Sequence, residues 1–241
     1  STRRSSDLQA IVFAGMLQFE GLNFAIPVEY LKSLLPALYA GGKVSHSWIG
    51  CFGHTKKELG KDSGLEIQYI MPGSSANRAK ILVGDVIEEL DGEKITTLED
   101  MQNVLMKKSA RSIVKIKYRR GEQTDNPEYF ETDIYLATRP DNPGFSIYKG
   151  DIIAKSFVPI FGMKLVPLSS NNKKFTIEKV IKGSTADESG FSENEPLEIR
   201  NLTLSDDNSI LYAVLYSKSL KKGYLDVNVT IANQLDSPYY F

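Results

Sequence analysis

His46, Cys51 and His54 stand within nine positions of one another, and an imidazole–thiol–imidazole set is the kind that could hold zinc or run a thiolate nucleophile. Zinc wants four ligands, or three and a water, each oriented by a further partner. These are the only histidines and the only cysteine of the 241 residues, and Cys51 and His54 fall on a predicted strand and the loop after it. Neither metal nor thiol chemistry is expected from them, and no cofactor. Ser5 and Ser6 lack the glycine-rich surroundings that would expose a nucleophile. The paired carboxylates Glu88-Glu89 and Asp206-Asp207 lie where a strand end and a turn are expected, and solvation accounts for both. The chain is expected to carry no catalytic residue and no metal ligand of its own.

The composition excludes several further classes. With 41% hydrophobic and 24% charged residues the chain can bury real cores, and its length suits two domains of about 100 residues each. The 29 basic and 30 acidic residues nearly cancel, and no basic run exceeds a pair, so the electrostatic footprint of a nucleic-acid binder is missing. A single cysteine excludes an intrachain disulfide. No stretch approaches the roughly 20 apolar residues of a membrane span. Ser1 to Asp7 is polar and does not look like a targeting segment, and the absence of an initiating Met suggests a chain processed or cut from a longer one.

The elements that must position any site fall into three blocks. In residues 1–44, Leu8 to Ala14 and Gly21 to Ile26 read as strands, with a loop near Met16 to Glu20. Pro27 then sits where a first helical residue would be, Val28, Leu31, Leu34, Leu35 and Leu38 share one face, and Pro36 should kink or shorten that helix. Two strands and a helix cannot close a core, so this block is the end of something. Residues 45–139 and 145–241 form a weak internal repeat of about 110 residues: Gly50 is followed 112 positions later by Gly162, and Ser74 110 positions later by Ser184. Each copy opens with a strand (Trp48 to Phe52; Ile160 to Leu165), then a second strand (Leu65 to Ile70; Phe175 to Ile181), then a short helix and a strand. A longer helix is expected next (Leu98 to Lys108; Ser209 to Leu220), then closing strands. Arg139 to Gly144 is the best linker. The fold class expected is mostly β with helices, built as small antiparallel barrels capped by helices.

The stretch Ser74-Ser75-Ala76-x-x-Ala79-Lys80-Ile81-x-x-Gly84-Asp85-Val86-Ile87-x-x-x-Asp91-Gly92-x-x-Ile95 resembles a PDZ domain of the bacterial protease-associated type. Ser74 would cap the short helix, Gly84 would permit a positive-φ turn, and Asp91-Gly92 would make a tight hairpin. Lys80 departs from the pattern, standing where that family usually has Gly. Ser184-Thr185-Ala186-x-x-Ser189-Gly190-Phe191-x-x-Asn194-Glu195-Pro196-Leu197 looks like a divergent second copy, with Asn194-Glu195 in place of Gly-Asp. Upstream, Gly21 to Pro27 resembles the end of the trypsin-like barrel of HtrA/Deg serine proteases, and Leu8 to Ala14 resembles the strand after that family's catalytic serine. The match is densest over residues 8–27 and 48–95 and thins over 96–137 and 150–235.

The resemblance implies a peptide-binding site in each copy. A PDZ adds an extended peptide to an open sheet edge while backbone N–H groups beside a glycine hold its carboxylate. The matching residues are Trp48, Ile49, Gly50, Cys51 and Phe52 in the first copy and Phe161, Gly162 and Met163 in the second. Leu98, Met101 and Leu105, at i, i+3 and i+7, would form the groove's other wall, although one face of that helix must be core in any case. In the protease part, Ala14-Gly15 and Asn23-Phe24 would wall the pocket for the residue before the cut, with no buried acid and therefore a leaning toward apolar side chains. The family's Gly-Asn-Ser-Gly-Gly motif does not occur and is expected upstream of Ser1. The apolar tail Ser237-Pro238-Tyr239-Tyr240-Phe241 is of the ligand type many PDZ domains capture and could dock in a neighbouring chain's first PDZ, against the commoner fate of a frayed or core-packed end.

The function so implied is the substrate-recognition region of an HtrA-like serine endopeptidase acting on unfolded proteins, with the triad outside this chain and this chain inactive alone. Its partners would be unfolded proteins or C-terminal peptides, and other subunits through the protease domain, in an extracytoplasmic setting, periplasmic or cell-envelope. The rival readings are a non-proteolytic tandem-PDZ adaptor and a purely oligomer-forming protein.

Overall fold

A two-residue alternation of buried and exposed side chains recurs along this chain, and it builds two open antiparallel sheets. The computed structural model describes residues 10–15, 23–39, 41, 45–121, 126–168, 173–219 and 225–241. The described chain divides into two compact units, Ser1–His46 and Ser47–Phe241.

In the first unit β1 (Ala10–Gly15) pairs antiparallel with β2 (Asn23–Pro27), and α1 (Val28–Tyr39) follows. The register sets Ala14 opposite Phe24 and Gly15 opposite Asn23, so the four residues read as pocket walls lie side by side along the backbone. The helix opens at Val28 rather than Pro27 and runs through Pro36 to Tyr39. Leu8, Gln9, the loop 16–20, Gly21, Leu22 and the serines at 5 and 6 lie outside the described residues.

The second unit begins with β3 (Ser47–Trp48), β4 (Cys51–Glu58), β5 (Lys61–Ile70), the one-turn α2 (Ser75–Arg78), β6 (Val86–Leu90) and β7 (Glu93–Lys94). It continues with α3 (Leu98–Lys107), β8 (Ile113–Arg120), β9 (Glu128–Tyr135) and β10 (Ala137–Thr138). The main sheet runs β4-β5-β6-β8-β9, with β7 hairpinned onto β6 and β3 paired to β10. The order leaves β4 at an edge, so the sheet is open rather than a closed barrel. The capping box at the start of α3 is complete: the Thr97 side chain accepts from Asp100 N, and the Asp100 carboxylate accepts from Thr97 N. This helix lays Met101, Val104 and Leu105 on a core formed with Ile49, Leu65, Ile67, Ile87, Ile116 and Ile134.

Two helices then precede the second sheet, α4 (Pro143–Gly150) and α5 (Ile153–Phe161), followed by β11 (Met163–Pro167), β12 (Lys174–Val180), α6 (Thr185–Glu188), β13 (Pro196–Leu204), β14 (Ile210–Ser219) and β15 (Leu225–Gln234). The strands pair in chain order. Three expectations change here. Residues 143–150, at the end of the expected linker, are helical, because Pro143 is preset for a first helical position. Ile160 and Phe161 end a helix instead of opening a strand, since Phe157, Ile160 and Phe161 fall on one face and are buried together. Within the expected helix 209–220, Ile210–Ser219 is the strand β14: Leu211, Ala213, Leu215 and Ser217 are buried with more open residues between them, a period of two.

Candidate peptide groove

Gly50 is the turn between β3 and the edge strand β4, and its φ of +88° is open to glycine at little cost. A Cβ there would fall inside the side chain of Ser74, the cap of α2, whose hydroxyl accepts from Asn77 N. The Gly50 carbonyl accepts from Met71 N at 2.9 Å, and the Ile49 carbonyl from Ala76 N at 3.0 Å. The loop is thus tied to the β5–α2 turn by its oxygens, which leaves the N–H groups of Gly50 and Cys51 pointing the other way.

Both N–H groups are satisfied by a segment distant in sequence. Gly50 N and Cys51 N donate to the main-chain oxygen of Phe241 at 3.0 and 2.8 Å. Phe241 N donates to the Cys51 carbonyl at 3.0 Å, and Gly53 N donates to the Tyr239 carbonyl at 3.2 Å. Phe52 and Tyr240 face each other in antiparallel register. Residues 239–241 therefore lie beside β4 as an added strand. Gln102 on α3 donates to the Pro238 carbonyl at 2.6 Å, so the segment is held from both walls, strand and helix.

The last two side chains go to opposite sides, as neighbours on a strand do. Phe241 is 1% exposed and buried in the apolar cluster that also holds Ile49, Cys51, Met101 and Leu105. Tyr239 stacks on His54, ring centroids 4.2 Å apart. Tyr240 points away from the Phe241 pocket, packs with Phe52, Tyr69 and Ile147, and donates from its hydroxyl to the Pro159 carbonyl at 3.0 Å.

Of the residues singled out from sequence, Gly50 and Cys51 supply main-chain donors, and Met101 and Leu105 share the cluster of Phe241. Leu98 is only partly buried against that cluster, and its N–H donates to Thr55 Oγ1. Trp48 is buried where β3 meets β10. Burial pushes the Cys51 thiol far up, the nearby Asp85 adding to it, so it stays protonated and unreactive at neutral pH. His54 is held below its usual value by burial, against the hydrogen bond its ring makes to the Gln68 amide oxygen and the charge of Glu66. His54, Gln102 and Gly53 were not singled out from sequence for peptide contact. The available signal was positional: His54 is two residues on from Phe52 along an edge strand, and Gln102 follows Met101 on the facing helix.

The second copy is built differently at the matching place. Gly162 is also left-handed, with φ +79°, and also abuts its serine cap, Ser184. Its carbonyl accepts from Ile181 N at 2.7 Å, as that of Gly50 does from Met71 N. Its N–H, however, donates to the carbonyls of Phe157 and Val158, closing the last turn of α5. Phe161 is buried as the last residue of that helix, and Met163 is buried in the second core. Among the described residues no helix corresponds to α3, because β13 turns directly into β14. The donor and the second wall of a peptide groove are therefore not brought together by Phe161, Gly162 and Met163.

A PDZ domain family matches residues 52–128, and the TP0546 family PDZ domain matches residues 144–235. The chain carries two PDZ domains. It is 31% identical over 134 residues, 52% of its length, to a probable periplasmic serine endoprotease DegP-like of Marinomonas sp., of which it covers 27%. It is 28% identical over 118 residues to the putative serine protease HhoA of Synechocystis sp., covering 43% of this chain and 30% of that one. A solved structure of the HtrA-type protease AlgW with decapeptide is 20% identical, with a TM-score of 0.47 over 55% of this chain and 42% of its own. The chain thus spans under a third of the curated relatives just named.

Proposed function

We propose that this chain is the substrate-recognition region of an HtrA-like serine endopeptidase, and that its first PDZ captures extended segments or C-termini of unfolded proteins. The observation that carries the reading is the pair of N–H groups, Gly50 and Cys51, converging on one oxygen at the end of an added strand. Such a pair suits a carboxylate, because charge-assisted hydrogen bonds are roughly twice as strong as neutral ones. The first groove is the binding one. In the second PDZ the corresponding N–H is consumed by α5, so that domain serves as a scaffold. Hydrolysis by a Ser-His-Asp triad belongs to residues outside these 241, which contain no Gly-Asn-Ser-Gly-Gly. Capture raises the local concentration of substrate at that site. The DegP-like relatives are named as periplasmic, which supports an extracytoplasmic setting, and we assign subunit assembly to the protease domain.

The test is fluorophosphonate labelling of the native protein from its source, read by peptide mapping. A label on a serine outside this sequence supports the protease. A folded protein that takes no label overturns it and leaves a tandem-PDZ adaptor.

A further inference from the structure

The groove of the first PDZ is filled, and the occupant belongs to the same chain. We propose that residues 237–241 are a built-in competitor, so that an outside peptide binds the first PDZ only by displacing them, and that displacement also loosens the contact between the two PDZ domains. The proposal rests on the peptide-binding reading above.

Three observations carry it. First, the backbone of the segment is bonded to the groove along its length: the Phe241 oxygen and N–H, the Tyr239 carbonyl and the Pro238 carbonyl all bond to groove atoms. Such bonds do not depend on sequence, so another extended peptide can replace each of them. Second, the tether is short. Leu235 is fully buried in the second core and Asp236 pairs with Arg139 at 2.6 Å, so only Ser237 and Pro238 separate that anchor from Tyr239 in the groove. A short tether gives an effective concentration on the order of millimolar. Third, the segment clasps both domains. Tyr240 lies between Phe52 and Tyr69 of the first and Ile147 of α4, with its hydroxyl on Pro159 of α5, while Arg139 donates to the Ser237 carbonyl. When the segment leaves, these contacts go with it, while the packing of α5 on β5, the Arg139–Asp236 pair and the Tyr69 hydroxyl to Asp151 bond at 2.9 Å stay. Groove occupancy and the strength of domain contact are therefore coupled.

The experiment measures fluorescence polarisation of a labelled synthetic peptide copying residues 236–241. It compares the 241-residue chain with a chain ending at Asp236 and with Tyr239→Ala. A peptide of tens of micromolar intrinsic affinity facing a millimolar competitor should bind the intact chain about 10- to 100-fold more weakly than the shortened one. Tyr239→Ala keeps Phe241 in its pocket and removes the ring contacts to His54 and Phe52, so it should improve peptide binding by about 3- to 10-fold. Equal affinity for intact and shortened chains overturns the competitor and leaves peptide binding standing. A folded shortened chain that binds no peptide overturns the peptide-binding reading itself. If shortening unfolds the protein, Tyr239→Ala decides: no gain in affinity refutes the proposal. Inhibition that fades as the intact chain is diluted places the segment in a neighbouring molecule and refutes the intramolecular form.

Discussion

Gly50→Ala tests the physical account of the groove loop most directly. Two separate costs are expected. The φ of +88° is hostile to any side chain, at about 1–2 kcal/mol. The added methyl would also overlap the Ser74 side chain, and forcing an extra carbon into packed structure costs about 1–3 kcal/mol. The sum is about 2–5 kcal/mol. Gly84 isolates the first cost, because its φ is +95° and a Cβ there would meet nothing within 4 Å, so Gly84→Ala should cost only about 1–2 kcal/mol. Ser74→Gly in the Gly50→Ala background should recover the overlap, since replacing a serine cap by glycine loses only a few tenths. Urea unfolding followed by fluorescence reads all three, because Trp48 is the single tryptophan and is buried two residues from Gly50. If Gly50→Ala costs no more than Gly84→Ala, or Ser74→Gly restores nothing, the claim that close approach to Ser74 demands glycine is wrong.

Three further outcomes follow from particular residues. Lys80 has φ +59° just after α2, where the second domain places Gly190 at +83°; Lys80→Gly should therefore raise stability by about 1 kcal/mol, visible as a higher urea midpoint. Arg119 is fully buried, with Glu58 at 2.7 Å, Glu88 at 2.8 Å and the Gly121 carbonyl at 2.9 Å around its guanidinium. Arg119→Met should cost about 3–5 kcal/mol by stranding those carboxylates, and Arg119→Lys should restore little of it because an ammonium cannot fork between them. His54, with its pKa lowered in the fold, is neutral there while the unfolded chain takes up a proton near pH 6.5, so stability falls as the pH drops through that value and below. Urea midpoints at about pH 7.5 and about pH 5.5 should differ, and His54→Gln should shrink the difference.

Much of the first PDZ was legible in its residues because the signals were local. Ser74 capping α2, the positive-φ Gly84, the Asp91-Gly92 hairpin and the apolar stripe of α3 are each decided within a few positions of the chain. The second copy misled where a local signal was ambiguous. Residues 209–220 hold apolar side chains dense enough to satisfy a period of 3.6, and only pairing with β13 and β15 decided for the strand. Ile160 and Phe161 likewise belong to whichever element their neighbours complete, and the face shared with Phe157 made it a helix. What no local pattern could decide is the fate of Tyr239-Tyr240-Phe241. Their composition suits a PDZ ligand, but which groove they enter depends on where β15 ends relative to β4, nearly two hundred residues earlier. The packing of α4 and α5 sets that distance, and a two-residue tether can span only what packing has brought close.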